Sequence, residues 1–184
     1  MNGNWYPWGR DRESPSVYRA AWRRVVGIFR HYHADNVSWI WSPYVSQTNS
    51  MAFSRYFPGD KWVDWVALDG FNYNRRGKWK SFAEIFGSSY RVITRLSSRP
   101  VMIAETGSAQ AGDRKAAWVT HLLRRELPRF GRIRSLIWFD SPFNGIDASV
   151  DSSPSALRAL RHAARLPRFR SDRGSLLHLS GLLR

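Results

Sequence analysis

Four short apolar segments, each ending in polar or aromatic residues, constrain the fold of this chain more than any other feature. They cover residues 36–42, 63–69, 101–105 and 133–140 and are rich in β-branched and aromatic side chains. Stretches with apolar residues at helical spacing lie between them. Strands that are apolar along their whole length are typical of a parallel sheet covered by helices. The sequence therefore predicts an α/β fold built on a parallel sheet.

Helix start signals precede the amphipathic stretches. Ser14 and Ser153 are each followed by proline, which is the pattern of an N-cap residue and a first helical position. The spacing of apolar residues predicts further helices over 81–96 and from an Asp113 cap to residue 127. Helices and strands therefore alternate along residues 14–166.

The polar ends of the four strands indicate where a site would lie. Each apolar segment finishes on Trp41-Ser42, on Asp69, on Glu105 or on residues 138–140 (Trp-Phe-Asp). In a (β/α)8 barrel the carboxyl ends of the strands form the floor of the active site. A flavodoxin-like sheet also carries functional groups there, but it usually supplies a glycine-rich phosphate loop, which this sequence lacks. A barrel needs eight strands and about 250 residues, so four strands predict half of one.

Composition excludes several classes of site. The chain has no cysteine, which excludes disulfides and thiolate metal ligands. No apolar run reaches the roughly 18 residues of a membrane helix, and residues 1–8 lack the features of a signal peptide. We predict no metal and no other cofactor, because the five histidines match no metal-ligand spacing: His31, His33, His121, His162 and His178.

The charge of +15 and the ten tryptophans allow two interpretations. Arginine attracts phosphates and bases stack on aromatic rings, so a basic nucleic-acid-binding protein is one alternative, driven by the arginine-rich residues after Pro167. No nucleic-acid-binding motif is present, and the arginines are scattered over several predicted helices. This distribution favours a solvated basic surface, and tryptophan is also the residue that packs against flat sugar faces.

Five sequence blocks resemble glycoside hydrolase family 26, the β-mannanase family, from its fourth strand to its eighth. The resemblance implies that residues 1–166 are an incomplete (β/α)8 TIM barrel, running from the end of strand 4 through helix 8, and that residues 167–184 are a basic tail. It also implies a retaining endo-hydrolase of β-1,4-mannan-like polysaccharide, although some members cut β-1,3-xylan or mixed-linkage β-glucan. The blocks are residues 1–8 (Met-Asn-Gly-Asn-Trp-Tyr-Pro-Trp), 58–65 (Pro-Gly-Asp-Lys-Trp-Val-Asp-Trp), 68–72 (Leu-Asp-Gly-Phe-Asn), 102–108 (Met-Ile-Ala-Glu-Thr-Gly-Ser) and 138–140 (Trp-Phe-Asp) with 151–154 (Asp-Ser-Ser-Pro).

The resemblance assigns Glu105 as the catalytic nucleophile. In the family the general acid/base glutamate immediately precedes the position of Met1, so we expect either a misassigned start codon or a truncated gene. Retaining enzymes need two carboxylates about 5 Å apart. The resemblance therefore implies that this chain alone is inactive or nearly so, or is a non-catalytic carbohydrate-binding remnant. The complete parent enzyme is expected to be extracellular, because mannan is.

Several further residues are implied to bind the polysaccharide substrate. Trp5 and Trp138 resemble aromatic walls of the cleavage subsite, Trp41 ends a strand beside them, and Asp69 resembles a substrate-binding acid.

The Asp-Gly-Phe-Asn block departs from the family pattern at one position. Phe71 stands where the family usually has a tyrosine whose hydroxyl lies near the nucleophile, so a hydrogen bond that would orient Glu105 is missing. Tyr73 replaces that hydroxyl only if the loop turns, because it would face the other way on an extended segment.

Overall fold

The computed structural model describes residues 1–9, 11–46, 52–74 and 77–169. Its centre is a parallel sheet of four strands in the order β1-β2-β3-β4. A separate antiparallel hairpin, β5–β6, follows the sheet. The prediction of an α/β fold with a parallel sheet is confirmed. The strands are β1 (Ile40–Trp41), β2 (Trp65–Asn72), β3 (Val101–Ser108), β4 (Ile133–Trp138), β5 (Pro142–Phe143) and β6 (Ile146–Asp147).

Within the described residues, four α-helices accompany the sheet. Beyond its last α-helical residue, the third helix continues as a π-helical turn over Leu122–Glu126 and a 3-10 turn over Leu127–Arg129. Shorter 3-10 turns cover residues 53–56, 60–62 and 167–169. The helices are α1 (Pro15–His31), α2 (Phe82–Leu96), α3 (Arg114–His121) and α4 (Pro154–Ala164).

Side-chain caps explain why three of the helices begin where they do. The hydroxyl oxygens of Ser14 and Ser153 accept hydrogen bonds from backbone N–H groups in the first turns of α1 and α4. Ser81 and Glu84 form a reciprocal capping box at the start of α2. Asp113 occupies the cap position of α3 but its side chain accepts no capping bond, because its backbone is already helical. The prediction that the Asp113 side chain caps α3 is therefore wrong, although Asp113 does occupy the cap position.

The sheet is not closed into a barrel within the described residues. β1 and β4 are the two edges of the sheet, and both Ile40 and Ile137 are exposed there. The structure therefore contains a four-stranded α/β unit rather than a complete (β/α)8 barrel.

Alternate residues of β2 pack against α2. Val66 and Leu68 are fully buried in the apolar core between the sheet and the helices. A Cβ atom at Gly70 would lie 2.9 Å from Ile85 Cγ2 and 3.0 Å from Phe86 Cζ, so Gly70 faces the same side. We expected this strand to end at residue 69, but it continues to Asn72. Gly70 thus allows α2 to approach closely and does not form a turn.

Gly70→Ala should destabilise the chain by about 1–3 kcal/mol, because the added methyl group has no room against Ile85 and Phe86. Urea unfolding followed by circular dichroism measures the change. Gly87→Ala is the matched control, since a Cβ atom there would meet only Arg91 Nη1, at 3.9 Å, and alanine favours the helix. Equal effects of the two substitutions would contradict the packing argument.

Candidate active site

A β-bulge in β3 determines where Glu105 points. Ile103 is paired with Leu68 of β2, but the next paired residues are Glu105 and Asp69, so β3 contains one extra residue. The pairing with β4 shifts in the same segment. Regular alternation would place Glu105 on the side of Ile103, which is buried in the core. The extra residue reverses the alternation and brings Glu105 opposite Asp69.

Glu105 and Asp69 share the face of the sheet that points away from α2. Gly70 faces α2, so Asp69 and Phe71 face the other side. A Cβ atom at Gly107 would lie 3.5 Å from Phe71 Cδ1, which places Gly107, and Glu105 two residues earlier, on that same side. Glu105 is exposed, and adjacent strands are about 4.8 Å apart. The two carboxylates are therefore close neighbours on one surface, which we call the site face.

The environment of Asp69 favours its protonated form. The pKa of Asp69 is raised to about 7, chiefly by burial. The charge of Glu105 also raises this pKa, whereas the hydrogen bond with Ser42 lowers it. Ser42 Oγ donates this bond to Asp69 Oδ1 over 2.8 Å. Burial also raises the pKa of Glu105. When Asp69 is protonated, Glu105 loses the like charge beside it, and this favours a charged Glu105.

An aromatic cluster extends the site face. The ring of Phe71 lies 5.6 Å from that of Phe139 and 4.5 Å from that of Phe143. Phe143 lies on the β5–β6 hairpin, whose turn residues Asn144 and Gly145 both have positive φ. The sequence-based prediction missed Phe143, although the Asn-Gly pair is a strong hairpin signal that would have located it.

A buried lysine holds this hairpin against α3. Lys115 is fully buried, and its Nζ donates hydrogen bonds to the backbone oxygens of Asp147 and Ser149 and to Ser152 Oγ, at 3.1, 2.5 and 2.8 Å. Burial lowers the pKa of Lys115, against a raising by nearby aspartates. The segment that follows β4 is thereby fixed relative to the helix that follows β3.

Trp41 is not a residue of the site face. Its ring is completely buried, 5.0 Å from the ring of Phe57 and 6.1 Å from that of Phe53. The prediction that Trp41 contacts sugar is therefore wrong, because the ring packs in the core.

Trp138 also lies apart from Glu105. Its ring is 6.0 Å from that of Trp118 in α3, and its Nε1 donates to the backbone oxygen of Ala148 over 2.8 Å. In the sheet Trp138 is paired with Thr106. Thr106 follows Glu105 in β3, so the side chains of these two residues point to opposite faces. The contacts thus direct Trp138 towards α3, and its sugar-binding role stays a prediction. Phe139, the next residue, is the one that reaches the site face.

Of the remaining predicted residues, Trp5 is exposed and Phe71 is buried. Trp5 contacts Tyr44 edge-on, with ring centroids 5.4 Å apart. The hydroxyl of Tyr44 donates to that of Tyr73 over 3.3 Å, so Tyr73 points to Tyr44. The Asn2 side chain is hydrogen-bonded to both the N–H and the carbonyl group of Tyr44. Tyr44 therefore connects Trp5 with Tyr73, a role that the sequence-based prediction missed.

Metal-ligand clusters and membrane-spanning helices are both absent from residues 1–9, 11–46, 52–74 and 77–169. No three histidine or acidic side chains lie together there as metal ligands do. No helix in those ranges is long and apolar enough to cross a membrane.

Comparison with known proteins identifies the family. Residues 1–120 match the sequence profile of glycosyl hydrolase family 26. Endoglucanase H of Acetivibrio thermocellus is 32% identical over 171 residues, covering 88% of this chain and 19% of that protein. A mannan endo-1,4-β-mannosidase A and B of Caldalkalibacillus mannanilyticus is 34% identical over 79 residues, covering 39% of this chain and 15% of that protein. The chain belongs to glycosyl hydrolase family 26.

Solved structures agree on the fold. The catalytic domain of a family 26 endo-β-1,4-mannanase from Bacillus sp. JAMB-750 superposes with a TM-score of 0.67 at 18% identity, covering 92% of this chain and 48% of that one. An endo-β-1,4-mannanase from Cellulomonas fimi gives 0.66 at 21% identity, covering 90% and 39%. The chain thus spans less than half of these structures and about a fifth or less of the two curated relatives.

Asp69→Asn should remove a pH dependence of stability. The folded-state pKa of Asp69 lies above its unfolded value near 3.9, so the folded state binds an extra proton between these values. Its stabilising contribution is complete below pH 4 and is lost as pH rises through 7, by at most about 4 kcal/mol. Urea unfolding at pH 5 and pH 8 should show a smaller decrease for Asp69→Asn than for the wild type. Asp113→Asn is the control, and parallel profiles for all three proteins would refute the assignment.

Proposed function

We propose that this chain carries the nucleophile side of a retaining glycosidase site for β-1,4-mannan, with Glu105 as the nucleophile. The observation that carries the proposal is the β3 bulge, which turns an exposed carboxylate onto the same face as Asp69 and Phe71. Membership of family 26 supports it, because the Met-Ile-Ala-Glu-Thr-Gly-Ser block around Glu105 resembles the nucleophile segment of that family.

The chemistry proposed for Glu105 is attack on the anomeric carbon, which releases the leaving-group oxygen and forms a covalent glycosyl-enzyme. A second carboxylate protonates the leaving oxygen and later activates water. The resemblance places that general acid/base before Met1. We therefore propose that the 184 residues alone cleave mannan about 10²–10⁴-fold more slowly than an enzyme with both groups.

The sheet is proposed to form one half of a (β/α)8 barrel, from the end of its fourth strand to its eighth helix. The supporting fact is that about nine-tenths of this chain superposes on less than half of each mannanase structure. The proposed substrate is an extracellular polysaccharide. It lies outside the cell that produces the complete enzyme. Mannan is proposed because two curated relatives are mannosidases, and β-glucan is the competing substrate because another is an endoglucanase.

A non-catalytic carbohydrate-binding role is the second candidate. The exposed ring of Trp5 favours it, since such a ring offers a flat apolar face to a sugar. This role requires binding to the polysaccharide but no chemistry at Glu105.

Incubation with 2,4-dinitrophenyl β-mannobioside should leave a mannobiosyl group covalently attached to Glu105. Dinitrophenolate needs no protonation to depart, so the first step requires only the nucleophile. The second step is slow without a general base, and the adduct accumulates. Intact-protein mass spectrometry and peptide mapping detect it. Glu105→Gln should form no adduct, while Glu13→Gln, an exposed acid beside α1, should behave as the wild type.

The companion measurement is binding to insoluble mannan together with the release of reducing ends. An adduct on Glu105 supports the hydrolase proposal. Binding with neither adduct nor reducing ends would favour the non-catalytic role. An adduct on another residue, or equal adducts in the wild type and Glu105→Gln, would overturn the assignment of the nucleophile. Reaction with the matching β-cellobioside but not the mannobioside would replace mannan with β-glucan.

A further inference from the structure

The loop of residues 3–9 presents three aromatic rings to solvent. Trp5, Tyr6 and Trp8 are 56%, 48% and 51% exposed. The rings of Tyr6 and Trp8 are stacked, with centroids 4.9 Å apart and planes 6° from parallel. Single exposed apolar residues are ordinary on protein surfaces, but neighbouring large ones mark binding sites. These rings therefore form a candidate binding surface of this chain.

The backbone of this loop is closed in a way that keeps the rings outside. Gly9 N donates to Tyr6 O over 2.9 Å. A Cβ atom at Gly9 would lie 2.5 Å from Gly3 O, and one at Gly3 would lie 1.9 Å from Trp5 Cζ3. Gly9 thus permits a backbone contact that any other residue would prevent, and a side chain at position 3 would displace the Trp5 ring. The loop is a defined structure that displays its aromatic side chains.

The exposed rings continue towards the site face. The ring of Tyr6 is 6.1 Å from that of Trp5, which is 5.4 Å from that of Tyr44. The backbone around Tyr44 is hydrogen-bonded to Asp69, the neighbour of Glu105, through Pro43 O and Val45 N. We call Trp8, Tyr6, Trp5 and Tyr44 the aromatic run. Its ring-to-ring spacing is on the scale of one pyranose unit.

The chemistry of the loop selects a neutral ligand. Residues 1–9 contain no lysine, arginine, aspartate or glutamate, although the whole chain carries a charge of +15. A surface that binds a phosphate backbone would supply cations beside its stacking rings. Flat apolar rings edged by tyrosine hydroxyls instead match a glycan, which has apolar faces and hydroxyl edges.

We propose that the aromatic run binds successive units of a β-1,4-linked glycan that extends away from Glu105, with Tyr6 and Trp8 forming a distal subsite. This rests on the proposed function, because it concerns the same polysaccharide. A distal subsite contributes only to ligands long enough to reach it. Its signature is therefore a dependence of affinity on chain length.

The experiment is isothermal titration of the full 184-residue chain with mannotriose and mannohexaose. Trp8→Ala and Tyr6→Ala should each weaken mannohexaose binding by about 3- to 10-fold, the usual value of one aromatic contact. Mannotriose affinity should change by less than about twofold, which corresponds to less than one such contact. Trp8→Phe keeps a ring and should retain most of the affinity. Tyr32→Ala is the matched control, because Tyr32 is 75% exposed at the end of α1.

Each other outcome overturns the proposal in a distinguishable way. If the wild type binds mannohexaose and both alanine variants bind it equally well, the distal subsite is refuted while the proposed function stands. Equal losses of affinity for mannotriose and mannohexaose would mean that the loop supports the structure of the site and forms no distal subsite. Failure of the wild type to bind either oligosaccharide would refute the mannan proposal itself. If the wild type instead binds an oligonucleotide in a salt-dependent way, and Trp8→Ala abolishes that binding, the ligand of the loop would be nucleic acid and not a glycan.

Discussion

The extra residue in β3 is the constraint on which the candidate site depends. Val101 and Ile103 point into the core, and a regular strand would send Glu105 there as well. A carboxylate among those apolar side chains would lose its hydration without gaining a partner, which is strongly unfavourable. The bulge places Glu105 on the opposite face, beside Asp69. The one unpaired residue of β3 thus makes the Glu105 carboxylate accessible, whereas a regular strand would bury it.

Small residues let other elements pack closely on both faces of the sheet around this point. Gly70 admits α2 on one face, and Gly107 admits Ala148 and Phe71 on the other. Lys115 then fixes the segment after β4 with three hydrogen bonds. The site face is therefore supported by helices and a hairpin, and these packed elements hold its aromatic cluster in place.

Electrostatics and packing act together at the two acids. Asp69 is held between Ser42 and Glu105 in surroundings that favour its neutral form. A neutral Asp69 reduces repulsion on Glu105, which favours the ionised state that its proposed role as nucleophile needs. Phe71 is packed among the rings of Phe139 and Phe143.

The sequence by itself determined the α/β alternation, the serine caps of α1 and α4, the positions of Asp69 and Glu105 near strand ends and the family. These features depend on local periodicity, on short-range hydrogen bonds and on contiguous motifs, all of which can be read along the chain. Only the tertiary structure decided which aromatic residues reach the site face. Trp41 packs in the core, Trp138 turns to α3 and Phe139 contacts the ring of Phe71. Because successive side chains of a strand point to opposite faces, a shift of one residue in register reverses every assignment, and that register is set by contacts between distant segments.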